Sequence, residues 1–405
     1  MRLDSFMAAE KHKRLYHNLK SEPVLQGRRV LMCFAILLLS AAPKLQAQIT
    51  DIDMLPTVGD APSVALPFAT DVSGKFDRKD ISRAMRKVAD WQLNRSTANF
   101  NQKWTFAALY DGLLAVPDAA GGRKYHKAVK LMGENFQWQP GPRPVHADDQ
   151  AIGQAYLDLY RRYQDPAMLA PIRERMESIM RLPDDKNAPL WSWCDALFMV
   201  PPVLTKLYKV TGDRRYIDFM DRQWWITSDL LYDRDVHLFH RDASFIGKHE
   251  ANGSGLFWSR GNGWVMAALV RVLSDMPLDY PTRPKYIAQY KEMAEEIASL
   301  QGKDGLWRTG LLDAQAYKLP ENSGSAFYVY ALAYGVNNGI LDRAKYLPII
   351  EKAWAGLVAH VYQDGRLGCI QTAGTAPGDY PATASYVFGT GAFLMAGSEV
   401  YQLAR

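Results

Sequence analysis

Residues 261–274 read G-N-G-W-V-M-A-A-L-V-R-V-L-S, and this stretch decides the fold. Its one charged side chain is Arg271; small or apolar side chains lie at nearly every other angle around a helix drawn through it. A helix that is apolar all round is buried on all sides. After a short connection, 284–300 reads P-K-Y-I-A-Q-Y-K-E-M-A-E-E-I-A-S-L, with a charged face and an apolar one. That pattern belongs to a helix lying over a buried one.

The same alternation runs through the chain. Residues 104–116, 149–163, 193–210, 323–335 and 386–403 are like 261–274, apolar and rich in Ala, Gly and Ser, whereas 78–94, 123–136, 168–181, 214–232 and 345–362 are amphipathic. Six buried and six covering helices, repeating at roughly fifty residues, predict an all-α fold: an (α/α)6 barrel of six inner and six outer helices. The turns agree. Thr211-Gly212-Asp213 stops one helix with a glycine and starts the next with an acid, and Gln164-Asp165-Pro166 and Leu341-Asp342-Arg343 stand at matching places. Short strands are expected at most near 306–311. The expected organisation is a leader over 1–47, a linker over 48–77 and one catalytic barrel over 78–405.

The 405 residues, 48% hydrophobic and 22% charged, have the composition of a soluble globular protein. The net charge of +5 is not spread evenly: residues 1–47 hold eight Lys or Arg against three acids, and the remainder carries forty of each sign. The basicity therefore belongs to the leader, which excludes nucleic acid as a partner. Arg28-Arg29, the apolar run 30–42 and the small-residue site Leu45-Gln46-Ala47 read as a signal peptide, so the protein is expected to be exported, to a bacterial periplasm or the medium. The run is too short for a permanent membrane anchor. The long stretch before it fits a start codon placed upstream of the true one, with translation beginning at Met7 or later. Export removes Cys33 and leaves Cys194 and Cys369, expected as two buried thiols rather than a disulfide framework.

Polar and aromatic residues that a core does not need collect where the inner helices begin. Lys103-Trp104 precedes the first, His146-Ala147-Asp148-Asp149-Gln150 the second, Trp191 to Asp195 the third, Trp258 to Trp264 the fourth and Glu321-Asn322-Ser323-Gly324 the fifth. Parallel inner helices bring these ends to one mouth, whose helix dipoles favour an anion. Asp195 lies among Trp191, Trp193, Leu197 and Phe198, where burial raises a carboxyl pKa and suits it to be a general acid; as an alternative it caps a helix start. Asp148 and Asp149 stand between the same two readings. Arg260 has the geometry to pair with a substrate carboxylate or to form a structural salt bridge. Trp258 and Trp264 offer faces to sugar rings or fill the core, and His240 is a site residue or a structural one. No metal-ligand spacing, serine nucleophile elbow or phosphate loop is present, so neither metal nor cofactor is expected.

At these residues the chain resembles glycoside hydrolase family 105, the unsaturated rhamnogalacturonyl hydrolases, and more distantly the unsaturated glucuronyl hydrolases of family 88. The resemblance rests on F-W-S-R-G-N-G-W-V-M-A-A-L from Phe257, W-C-D-A-L-F-M-V-P-P from Trp193, Leu238-Phe239-His240, E-N-S-G-S-A from Glu321 and F-G-T-G-A-F-L-M-A-G-S-E-V from Phe388. It implies the same barrel, and an enzyme that protonates the 4,5-double bond of a terminal unsaturated uronic acid on lyase-generated oligosaccharides. Water then adds at C5, the hemiketal opens and the next sugar leaves. The resemblance implies Asp195 as the acid/base and Asp148 or Asp149 as the second carboxylate. It implies His240, Arg260 and Trp264 as substrate contacts, with Trp258, Trp193 and His146 beside them, and a rhamnogalacturonan-type or ulvan-type substrate. The family often has an aromatic residue or His where this chain has Arg241-Asp242, which leaves the subsite of the departing sugar open. An inverting glycosidase with two separated carboxylates, or a non-catalytic sugar-binding protein, are the competing readings.

Overall fold

The structure, a computed structural model, describes residue 60 and residues 65–404. The leader and most of the linker lie outside the described residues. Twelve helices of ten residues or more carry the fold. The outer set is α1 (Arg78–Ser96), α3 (Arg123–Asn135), α5 (Ala170–Ile179), α7 (Arg214–Leu231), α9 (Arg283–Ser299) and α11 (Arg343–Ala359). The inner set is α2 (Trp104–Ala115), α4 (Gly153–Tyr163), α6 (Pro201–Thr211), α8 (Ser259–Asp275), α10 (Asn322–Asn337) and α12 (Val387–Leu403). Each inner helix packs against the next, and α12 returns to α2, which closes the ring. The (α/α)6 barrel read from the helix alternation is the fold.

Burial explains the division. In α8 every residue except Ser274 is buried, whereas α9 buries one stripe, Tyr286, Gln289, Tyr290, Met293, Ala294 and Ile297. Ring closure depends on two glycines: a Cβ on Gly391 of α12 would lie 2.1 Å from the Ala108 carbonyl oxygen, and one on Gly112 of α2 would lie 2.4 Å from that of Gly391. The backbones touch there, and no side chain fits between them.

Two inner helices start later than the sequence suggests, and both delays occur at the mouth. Residues Ala147–Gln150 form a 3-10 turn, and α4 begins only at Gly153. Ahead of α6, Ala196–Met199 makes a single helical turn that Pro201 and Pro202 interrupt. Proline lacks an N–H and fits only the first turn of a helix, so the continuous segment expected over 193–210 is split. The short strands expected near 306–311 shrink to one bridge, Trp258 with Gly310. A two-stranded antiparallel ribbon forms instead from β1 (Tyr232–Asp233) and β2 (Leu238–Phe239), and it leads through His240 to Arg241 at the mouth. Cys194 and Cys369 are both free and buried. Among the described residues no helix is long and apolar enough to cross a membrane.

Candidate active site

Asp195 is held by its backbone and left open at its side chain. Trp193 bridges Asp242 in antiparallel fashion, and the Cys194 N–H donates to the Arg241 carbonyl at 2.8 Å. The turn then closes through Ala196 N–H to Trp193 O and Phe198 N–H to Asp195 O, at 3.1 and 3.0 Å. The Asp195 side chain caps nothing, so the helix-cap reading fails. Its Oδ1 is buried without a hydrogen-bond partner, and Oδ2 stands 3.3 Å from Nε of Arg241. Burial pushes the Asp195 carboxyl above its ordinary range, and the cations Arg241 and Arg260 offset that only in part.

A pocket opens in front of this carboxyl. Asp148, Trp193, Asp195, Trp258, Arg260 and Trp264 line it, together with Trp104, Met199, Arg241 and Gly374. These residues come from the starts of α2, α4, α6 and α8, from the segment after β2 and from the connection into α12, so four of the inner-helix N-termini meet at one mouth. The residues preceding α2, α4, α6, α8 and α12 make no side-chain cap, although Asp60 Oδ1 accepts from the Val387 N–H that opens α12. The positive ends of their dipoles lie at this end of the barrel.

The structure separates the two adjacent acids. Asp149 is tied up by Arg143, whose backbone N–H, Nε and Nη2 all donate to its carboxylate at 2.6 to 3.0 Å, and its carbonyl accepts from Gly141 N–H. It fastens the 141–149 loop and does not line the pocket. Asp148 does, with His146 Nδ1 at 3.7 Å from its carboxylate and the His146 ring 5.3 Å from that of Trp193.

Arg260 also departs from its expected place. It is fully buried; Nη1 and Nη2 donate to the carbonyls of Gln371 and Thr372 at 2.8 and 2.7 Å, and the guanidinium lies over the rings of Trp258 and Phe388. Glu321 stands 3.8 Å away while capping α10 through Ser323 N–H and Gly324 N–H. One N–H of each terminal nitrogen is thus spent on a carbonyl, so Arg260 positions the 371–374 wall and adds charge to the site, while its Nε has no hydrogen-bond partner. Trp258 and Trp264 are 2% and 1% exposed, Trp258 donating to Gln371 Oε1 and Trp264 wedged between Phe198 and Phe327. They reach the pocket with an edge and are otherwise core. His240 stacks on Phe257, with Nε2 3.8 Å from Asp233, and is not part of the pocket wall; burial depresses its pKa and favours the neutral ring, against the pull of Asp233.

Arg241 is the residue the sequence did not assign. It is 6% exposed, lines the pocket and touches the acid. The one available signal was its position directly after His240; that the 240–242 segment folds back onto Trp193–Cys194 is a tertiary fact. Among the described residues no group of three or more His, Cys, Asp or Glu side chains is placed to hold a metal ion. The arrangement offers one proton donor, a second carboxylate, cations for an anionic ligand and aromatic edges. That set suits acid/base chemistry on a small acidic sugar.

Residues 78–404 match the sequence profile of Glycosyl Hydrolase Family 88. The chain is 41% identical over 347 residues to the unsaturated 3S-rhamnoglycuronyl hydrolase of Formosa agariphila, covering 81% of this chain and 92% of that one. The solved family 88 glycosyl hydrolase from Bacteroides vulgatus superposes with a TM-score of 0.76 at 31% identity, over 80% of this chain and 99% of that chain. A second solved chain, described as a polysaccharide lyase, gives 0.76 at 32% identity, over 80% and 98%.

Proposed function

This chain belongs to glycosyl hydrolase family 88, and from that premise we propose that it hydrates the 4,5-double bond of a terminal unsaturated uronic acid and so releases it from a rhamnose-containing, ulvan-type oligosaccharide. The observation that carries the reading is the Asp195 carboxyl: buried, raised in pKa, and with Oδ1 bonded to nothing in the protein. Burial favours the protonated form of such a group, and no hydrogen bond of the protein engages its Oδ1.

In this reading the Asp195 proton goes to C4 as the double-bond electrons leave C5. Water adds its oxygen to C5 and gives a proton back to Asp195, which restores the acid. The resulting C5 hemiketal opens, the glycosidic bond breaks and the next sugar leaves with a hydroxyl. One water is consumed, and no covalent enzyme intermediate is needed. Asp148, on the same pocket wall, orients the water. Arg260 keeps the 371–374 segment in place through its two carbonyl bonds.

The test uses the ultraviolet band of the conjugated unsaturated carboxylate in lyase-digested ulvan and rhamnogalacturonan oligosaccharides. Disappearance of the band on adding the chain lacking residues 1–47 is the expected result, faster with the ulvan products. A band that grows on intact polymer would mean a lyase, the activity named for the second solved neighbour. New reducing ends with the band unchanged would mean an ordinary inverting glycosidase, and binding without change a sugar-binding protein. Residues 1–47 are proposed to act as an export leader; sequencing the N-terminus of protein from the periplasm or medium checks this, with a start at Gln48 expected.

A further inference from the structure

Arg260 is fully buried and spends one N–H of each terminal nitrogen on a wall carbonyl, with Nε left over, and an unsaturated uronate brings a carboxylate into the pocket. One other cation lines that pocket. Arg241 is 6% exposed, and its Nε and Nη2 are buried without a hydrogen-bond partner. Nη1 donates to Asp242 Oδ2 at 2.7 Å and Nε is held only by the 3.3 Å ion pair with Asp195; Asp242 is fixed in turn by accepting from Ser244 N–H at 2.8 Å. The Arg241 carbonyl accepts from Cys194 N–H, so the segment bearing the guanidinium is fastened to the segment bearing the acid. A buried guanidinium with two unused donors, held in a fixed orientation, has the requirements of an oxyanion receptor.

We infer that Arg241 is the receptor for an oxyanion of the substrate, binding it through Nε and Nη2 directly beside Asp195. This rests on the uronyl hydrolase reading given above. The oxyanion is the carboxylate of the unsaturated sugar or a sulfate ester on the sugar next to it; both present paired oxygens to the same edge. Binding has a consequence for the acid. In the free protein Arg241 Nε faces Asp195 Oδ2 at 3.3 Å and favours its charged form. An oxyanion on Arg241 draws that positive charge to itself and helps Asp195 retain its proton until C4 takes it. The other charged groups around Asp195 are Asp242 beside Arg241, Arg260 on α8 and Asp148 across the pocket.

The experiment compares the wild type with Arg241→Gln and Arg241→Lys, on unsaturated disaccharides with and without the sulfate ester. The glutamine variant should raise KM by about 10- to 100-fold, the scale of a lost charged hydrogen bond. Lysine should recover part of that loss. The upper-pH limb of kcat/KM should move to higher pH in Arg241→Gln, because the cation opposing protonation of Asp195 is gone. A loss of equal size on both disaccharides assigns the carboxylate, and a loss confined to the sulfated one assigns the ester. Calorimetric Kd values for the same disaccharides, measured with Asp195→Asn and with Asp195→Asn/Arg241→Gln, test the anion site even if the wild type turns over neither sugar. That last result would defeat the hydrolase reading alone. Equal Kd in the two proteins, or unchanged KM in a folded Arg241→Gln, would overturn the receptor.

Discussion

Two clusters of buried charge lie inside this barrel, and they are built to opposite rules. Around Arg271, deep between α2, α4, α6 and α8, each guanidinium nitrogen has a partner: Nε donates to Gln154, Nη1 to the Met395 sulfur, and Nη2 to Asp111 and Asp158 at 3.0 and 3.3 Å. Lys206 bonds to Asp158 and Asp275, and Arg161 reaches Asp275 from the far side. At the mouth, Asp195 leaves Oδ1 unused and Arg241 leaves Nε and Nη2 unused. Both clusters mix carboxylates with cations. The difference is that the inner one, Asp111 Oδ2 apart, spends its hydrogen bonds on the protein and ties five helices together, whereas the outer one leaves donors of its cation and an oxygen of its acid outside any hydrogen bond.

This comparison breaks most directly at Asp195. Asp195→Asn should lower kcat by about 10²- to 10⁴-fold, the usual weight of a positioned acid, while the thermal midpoint stays level or rises. Activity retained alongside lost stability would make Asp195 the structural member of the pair. Arg271→Ala should do the reverse. Removing one partner from a buried ion pair costs about 3–5 kcal/mol, to be read from urea unfolding, and the fraction still folded should keep most of its specific activity.

Arg260 lies between the two clusters and sharpens the contrast. Arg260→Met should cost about 2–3 kcal/mol, because two carbonyls lose charged donors, and should lower kcat as the 371–374 wall loosens. A rise in KM alone, with no loss of stability, would return Arg260 to the role of carboxylate clamp. The smallest effect belongs to Asp111, which burial, only partly offset by Arg271, pushes up to about 7. Between its unfolded value of 3.8 and that value the folded chain holds a proton the unfolded chain has released. Its contribution to stability is therefore complete below pH 3.8 and is lost as pH rises through about 7. Thermal midpoints measured from pH 5 to pH 8 should fall less for Asp111→Asn than for the wild type; parallel curves would show that Asp111 does not titrate there.

The barrel was legible because it depends on pattern. Whether a helix is apolar all round or on one face is written along the chain, and residues 261–274 beside 284–300 suffice to show it. The mouth was legible in part: the starts of the inner helices could be located, and with them Asp195, Trp193, Trp258, Arg260 and Trp264. The choice between Asp148 and Asp149 could not be made, since adjacent residues differ only in which one Arg143 reaches. Arg260 stood between a carboxylate clamp and a structural salt bridge because the sequence does not show that the carbonyls of Gln371 and Thr372 come to it from a segment more than a hundred residues away.

The sequence by itself thus determined the architecture and the barrel end at which Asp195 lies with the polar starts of the inner helices, since local periodicity and the composition of helix ends are one-dimensional properties. Only the tertiary structure decided which charges are spent and which are free. Whether a guanidinium is satisfied depends on atoms brought to it from distant parts of the chain, as Trp193 and Cys194 are brought to Arg241 and Asp242, and hydrogen-bond capacity is settled by what arrives in space.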